Sequence, residues 1–296
     1  CITLYTVVLA LEFAPVVGES PLLQRWPRIG SLLHRIHMFA PIMAVAGLLL
    51  SLLHQSSLGA TYGIIKARPI WFKPTMPVLF ILSAVAAGPM LTVSACLTLE
   101  VIRGKRVVAF TLLQRIARFS GYALLAYLYM RLWDLASVAY YGRTAAHDEA
   151  LHLIQRATPY NFTFWIVEIG LGTLVPAVLF LSRKSRKHPP LLWLGGILAA
   201  LGVVMNRWNV TVSGLYVPLD YSPGILFQPN EGTYFPNFVE WCVAAGVVGY
   251  AFLAFSLGAR YLPLFNHSGA RQHKAPTPAP ETKAFPSRTA GEAALK

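Results

Sequence analysis

HMFAPIMAVAGLLLSLLHQSSLGATYGIIKARPIWFKP, residues 37–74, decides the fold. Its apolar run from Phe39 to Leu53 carries no charge and is the heart of an apolar segment, 36–54, near the roughly 20 residues that a spanning helix needs. The run meets a polar cluster, His54-Gln55-Ser56-Ser57, and leads into a loop bearing Gly, aromatic and basic residues that closes at Trp71-Phe72-Lys73-Pro74. The reading is a buried helix that surfaces at residue 54 with hydrogen-bonding groups at its mouth. Tyr62, Trp71 and Phe72 supply flat apolar walls there, so the mouth suits a planar carbonyl ring with an apolar tail. The plainer alternative is a capped interfacial histidine with aromatic anchors at the membrane surface.

Composition extends this reading to the whole chain. The sequence is 55% hydrophobic and 12% charged with a mean hydropathy of +0.53, against about 25% charged in soluble domains. Seven apolar segments follow: 1–17, 36–54, 76–99, 119–141, 160–182, 190–212 and 236–258. The expected fold is an all-α integral membrane protein, a helical bundle of about seven transmembrane helices over residues 1–262 with a disordered cytoplasmic tail at 263–296. Cys1 already lies inside an apolar run, which reads as a cut N-terminus.

The net charge of +13 is spread between the apolar runs, which argues against nucleic acid and for the positive-inside rule. Residues 18–35, 100–118, 182–188 and 259–296 carry +2, +4, +4 and +4, whereas 55–74, 142–159 and 213–235 carry +3, 0 and −2. The first set is expected on the cytoplasmic side of a bacterial inner membrane, with the C-terminus inside. Lys66, Arg68 and Lys73 depart from the rule, which assigns the 55–74 loop a task of its own.

Six charged residues fall within apolar runs: Glu12, Arg131, Asp134, Glu168, Arg207 and Glu240. Each costs about 2.5–3.5 kcal/mol near the bilayer centre unless it is paired or functional. At ~1.5 Å per residue, Asp134, Glu168, Arg207 and Glu240 fall within about 6–12 Å of the outer surface. Arg131 stands one turn deeper, on the face of Asp134. With Asn206 these residues form a predicted charge layer able to relay protons. Two readings stay open: a proton-exchanging group, or ion pairs that hold helices in register. Glu12 lies in the inner half of its helix, as a proton route or a snorkelling carboxylate.

Cys1, Cys96 and Cys242 lie far apart, so no iron–sulfur cluster is encoded. His34, His37 and His54 share one helix or its flanks, and the other histidines lie in loops or the tail, so no haem is expected either.

Several motifs then point to a family: LALEFAP (9–15), HQSSLG (54–59), RPIW (68–71), FWIVE (164–168), Asn206-Arg207 and TYFP (233–236). Together they resemble the NrfD-like polysulphide-reductase membrane subunits, with the nearest likeness to the membrane subunit of hydrogenase-2-type nickel–iron hydrogenases. The resemblance covers roughly residues 1–262, and HQSS with the aromatic-proline loop is its most specific part. It implies a cofactor-free helical bundle that exchanges electrons with a quinone, menaquinone or ubiquinone. It also implies a periplasmic ferredoxin-like iron–sulfur subunit docked on the outer face and a catalytic subunit, a hydrogenase or a molybdopterin enzyme. The family's first helices are missing from this sequence, and RLWD (131–134) matches less closely.

The function expected is therefore a quinone-reactive membrane anchor of a respiratory oxidoreductase. Quinone would bind at His54, Gln55, Ser56, Ser57 and Trp71; Arg131, Asp134, Glu168, Asn206, Arg207, Glu240 and Glu12 would form the charge layer or proton relay. The basic 55–74 loop would dock an acidic partner. The rivals are a secondary transporter using the charge layer, a purely structural anchor, and a subunit serving a molybdopterin or multihaem enzyme.

Overall fold

The computed structural model describes residues 2–18, 38–68, 70–106, 108–141, 151–152, 154–156, 158–217, 219–222, 225–227 and 234–261. Among them seven long helices form: α1 Ile2–Gly18, α2 Ala40–Gly63, α3 Met76–Arg103, α4 Phe110–Tyr141, α5 Tyr160–Leu181, α6 Pro189–Tyr216 and α7 Phe238–Tyr261, with a single 3-10 turn at Ser185–Lys187 between α5 and α6. Each lies over one of the apolar segments. Five of them (α2, α3, α5, α6 and α7) contain a stretch long and apolar enough to cross a membrane, and α1 is a shorter apolar helix. A small antiparallel hairpin, β1 Leu219–Ser222 and β2 Ile225–Phe227, follows α6. The tail 263–296 and the stretches 19–37 and 142–150 lie outside the described residues.

Two helices depart from their apolar segments for physical reasons. α2 runs past His54 to Gly63, so the HQSS cluster is not a helix end. QSSLGATY contains no proline, and its Thr61 Oγ1 donates to the Ser57 carbonyl at 3.0 Å, back onto the helix itself. α4 begins at Phe110 rather than 119, because QRIAR is a good helix former despite its charge.

α3 is central. Its buried stripe (Met76, Leu79, Phe80, Ser83, Ala86, Ala87, Met90, Val93, Ser94, Leu97) faces α2, α4 and α6. Gly59 of α2 lets the start of α3 approach so closely that a side chain there would strike the Met76 carbonyl and Pro77. Gly172 of α5 and Gly202 of α6 meet in the same way, each backbone filling the space of the other's side chain. α1 packs on α2, where Gly47 faces Glu12 and Val8. α7 stands apart, with none of its spanning stretch buried.

Within α5, residues Thr163–Leu174 are wound as a π-helix, and the Val175 N–H donates to the Gly170 carbonyl five residues back. π segments often occur at functional sites, and this one carries Glu168.

Candidate functional site

Glu168 is the centre of a buried polar network at one end of the bundle, with 0% exposure. One carboxylate oxygen accepts from Tyr127 OH, Arg131 Nε and Asn206 Nδ2, each at 2.9 Å. The other accepts from Asn209 Nδ2 at 2.7 Å. Two neighbouring helices therefore supply its donors. The spacing is helical: Tyr127 and Arg131 are i,i+4 on α4, and Asn206 and Asn209 are i,i+3 on α6. The wide π turn is closed by Thr173 Oγ1, which donates to the Glu168 carbonyl at 2.9 Å.

From Glu168 the network runs two ways. Arg131 Nη1 lies 3.4 Å from Asp134 Oδ2, and the same oxygen takes Lys73 Nζ at 2.5 Å, while Thr75 Oγ1 donates to Oδ1 at 2.5 Å. In the other direction Arg207 Nη1 donates to Asn206 Oδ1 at 2.8 Å. Its Nη2 reaches Ser83 Oγ at 2.9 Å, the Phe80 carbonyl at 3.3 Å and Gln55 Oε1 at 3.4 Å, and the guanidinium lies 3.4 Å over the Phe80 ring. Burial pushes the Lys73 pKa down, and Asp134 pulls it back up.

Of the sequence-predicted layer, Arg131, Asp134, Glu168, Asn206 and Arg207 come together, and Gln55 joins them. Glu240 does not. It is exposed at the start of α7, where it accepts the Asn237 N–H at 2.7 Å while Asn237 Oδ1 accepts the Glu240 N–H at 2.9 Å. This reciprocal capping box turns the carboxylate onto its own helix. Glu12 faces Gly47 on α2 and is no part of the network. Sequence reasoning missed Lys73, Thr75, Tyr127 and Asn209; the i,i+4 and i,i+3 spacings were the available signal for the last two. The balance changes accordingly: three cations (Lys73, Arg131, Arg207) meet two carboxylates.

The loop 64–75 is turned inward. Arg68 Nη1 donates to the carbonyls of Gly214, Leu215 and Val217 at 3.1, 2.9 and 2.9 Å, capping the end of α6. With Lys73 on Asp134, two of the three basic residues expected to face a partner are held inside the fold, and only Lys66 is exposed. Trp71 is likewise buried, its Nε1 donating to the Val210 carbonyl at 2.6 Å. His54 and Ser56 are half-buried on α2, and Ser57 is exposed.

Lys73→Met should lower stability by about 2 kcal/mol, less than for a fully buried pair because Asp134 keeps Thr75 and Arg131. Adding Asp134→Leu should cost less than the two single losses combined, read from unfolding midpoints in a double-mutant cycle. Additive losses would show that the pair is not coupled.

Two of the cavities that adjoin the network bear on its chemistry. One of about 20 Å³, room for a single water, lies among Lys73, Arg131, Asp134, Tyr160 and Asn209. The other is an open cleft of about 600 Å³ along α6, where Arg207 and Thr211 stand among Trp208, Leu215, Tyr216 and Tyr234. Gln55 and Tyr62 of α2 bond to Arg207 and Thr211 at its edge, Tyr62 OH lying 3.3 Å from Thr211 Oγ1.

Residues 1–218 match the family model described as Polysulphide reductase, NrfD. The chain belongs to this family. The integral membrane subunit of menaquinone reductase from Nitratidesulfovibrio vulgaris is 31% identical over 274 residues, covering 90% of this chain and 63% of that protein. A selenate reductase subunit from Mesobacillus selenatarsenatis is 26% identical over 84% of this chain and 58% of its own length. The probable Ni/Fe-hydrogenase 2 b-type cytochrome subunit of Escherichia coli is 26% identical over 89% and 61%. The chain thus spans about three fifths of the length of these curated relatives.

The last relative's name raises the question of haem. Among the described residues His54 is the one histidine within a spanning helix, and no group of three His, Cys, Asp or Glu could hold a metal.

Proposed function

We propose that this chain is the quinone-reactive membrane subunit of a respiratory oxidoreductase, and that quinone binds in the cleft along α6. The observation that carries this reading is Arg207. It has no carboxylate partner among the described residues, yet it faces an open, aromatic-walled cleft of about 600 Å³, within the size range of small-molecule sites. A guanidinium there would hydrogen-bond a ring carbonyl and stabilise the negative charge that its oxygen gains as the ring is reduced. Trp208, Tyr216 and Tyr234 would flank the ring, and Gln55 would hold Arg207 in place. His54 and Ser56, next to Gln55 on α2, would border the tail. Trp71 would position the end of α6 rather than touch the ligand. Protons taken up on reduction would come through Glu168, Asp134 and the small cavity beside them.

The relative named as a menaquinone reductase subunit supports a quinone as substrate, and together with the hydrogenase subunit it supports a multi-subunit complex as setting. The electron donor would be an iron–sulfur partner with its own catalytic subunit, docked at the end that bears the 64–75 loop, which we place on the periplasmic side. A hydrogenase is one such donor; the menaquinone and selenate reductase relatives make it one of several. Mild-detergent purification with mass spectrometry of associated proteins would identify it.

The site itself is tested with a photoreactive azidoquinone on the purified chain. Labelling should fall on peptides containing Arg207–Tyr216 or Tyr234 and drop about tenfold in Arg207→Met, the loss of one charged hydrogen bond. In the assembled complex, Arg207→Met and His54→Ala should each reduce quinone-linked turnover while leaving assembly intact. Labelling confined to other helices, with full turnover in both variants, would overturn the reading.

A further inference from the structure

The opposite end of the bundle is strongly basic. Arg183, Lys184, Arg186 and Lys187 occupy the short turn between α5 and α6. Arg186 differs from its neighbours: it is 6% exposed, and its Nη1 finds no hydrogen-bond partner among the described residues. No described carboxylate pairs with it either.

What surrounds it is cationic. Gln114 Nε2 of α4 donates to the Arg186 carbonyl at 2.9 Å, which ties the turn to the first half of α4. Arg118 lies one helical turn beyond Gln114 on the same face. Arg183 lies one tight turn before Arg186, whose N–H donates to the Ser182 carbonyl at 3.2 Å. Burial and these two arginines act together to push the Arg186 pKa down. A covered guanidinium without an anion is costly, and two more cations beside it raise that cost. The arrangement becomes favourable once an anion enters, and the planar fork of arginine matches phosphate oxygens.

Location narrows the anion. The turn joins the ends of two apolar helices, at the level where lipid headgroups meet protein. Phe119 and Tyr122 of α4, next to Arg118, are 56% and 61% exposed. They offer apolar surface directly beside the charges, which a free inorganic ion would not use.

We propose that Arg118, Arg183 and Arg186 form a binding site for the phosphate of a net-anionic membrane phospholipid whose acyl chains lie along Phe119 and Tyr122. Arg186 supplies the buried donor; Arg118 and Arg183, both exposed, select for negative charge.

The test is native mass spectrometry and thermal unfolding of the delipidated full chain in detergent with phosphatidylglycerol, phosphatidylcholine or inorganic phosphate. Phosphatidylglycerol should bind and raise the unfolding midpoint, with phosphatidylcholine about tenfold weaker. Because Arg186→Gln alters a buried position, the decisive variant is Arg118→Gln with Arg183→Gln at exposed sites; it should lose the preference for phosphatidylglycerol. Equal binding of the two lipids, or an unchanged preference in the double variant, would overturn the proposal. So would a full shift with inorganic phosphate alone, which would make the site one for a free anion.

Discussion

Glu168→Leu should lower the stability of the bundle by about 3–5 kcal/mol, the range seen when one member of a buried charged pair is removed. The side chain is wholly buried and accepts four hydrogen bonds from α4 and α6. Leucine fills a similar volume but leaves Arg131 without its closer carboxylate and Tyr127, Asn206 and Asn209 facing an apolar group. Glu168→Gln separates charge from shape: it can still accept on one atom, but its amide nitrogen would meet donors on the other. Its loss should be smaller than that of leucine, and if Glu168 carries protons to the quinone as proposed, quinone-linked turnover of the assembled complex should fall even where the fold survives. Reversible unfolding in mixed micelles, followed by tryptophan fluorescence, measures both variants. A loss below about 1 kcal/mol for leucine would show that the four hydrogen bonds to this side chain contribute little net stability.

The core of this network was legible because charges are expensive in an apolar segment. Arg131, Asp134, Glu168 and Arg207 stand out in runs of Leu, Ala and Val, and counting residues from the segment ends put Asp134, Glu168 and Arg207 at one depth with Arg131 one turn below. Direction around the helix was harder. Glu240 sits at the same depth by that count, yet the Asn237-x-x-Glu240 spacing gives its carboxylate a local partner. Lys73 was hidden by the opposite error, since a lysine in a loop is counted as a surface charge whatever it touches. The length of α2 was misread at His54 because a polar cluster ends an apolar run without ending a helix. The π segment leaves no mark in periodicity: it depends on Thr173 and on the donors around Glu168, and those donors come from tertiary structure. The all-helical fold and the approximate place of each long helix followed from hydropathy, although five of the seven reach the length and apolarity of a membrane span; the inward turn of the 64–75 loop did not follow, because it is fixed by carbonyls at the end of α6.

Gly172→Val should be nearly as damaging as Glu168→Leu, by a different route. A side chain at Gly172 would run into the Cα of Gly202, and one at Gly202 would run into Gly172. Both obstacles are backbone, so no rotamer change relieves them; α5 and α6 must move apart. Overpacking of this kind costs about 1–3 kcal/mol where side chains can yield, and here they cannot. The glycine contact also sets the geometry of the site. Gly172 follows Glu168 by four residues on α5, and Gly202 precedes Asn206 by four on α6, so the crossing holds Asn206 Nδ2 at 2.9 Å from the carboxylate. Separating the helices by even one methyl group would stretch the bonds from Asn206 and Asn209 together. Gly172→Val is therefore expected to lower the unfolding midpoint and to remove quinone labelling at Arg207, which Asn206 orients. Gly246→Ala on α7, where an added carbon meets nothing within 4 Å, serves as the control and should be neutral or stabilising by up to about 1 kcal/mol. Native-like labelling in Gly172→Val would mean that the network is held by its own bonds and not by the helix crossing.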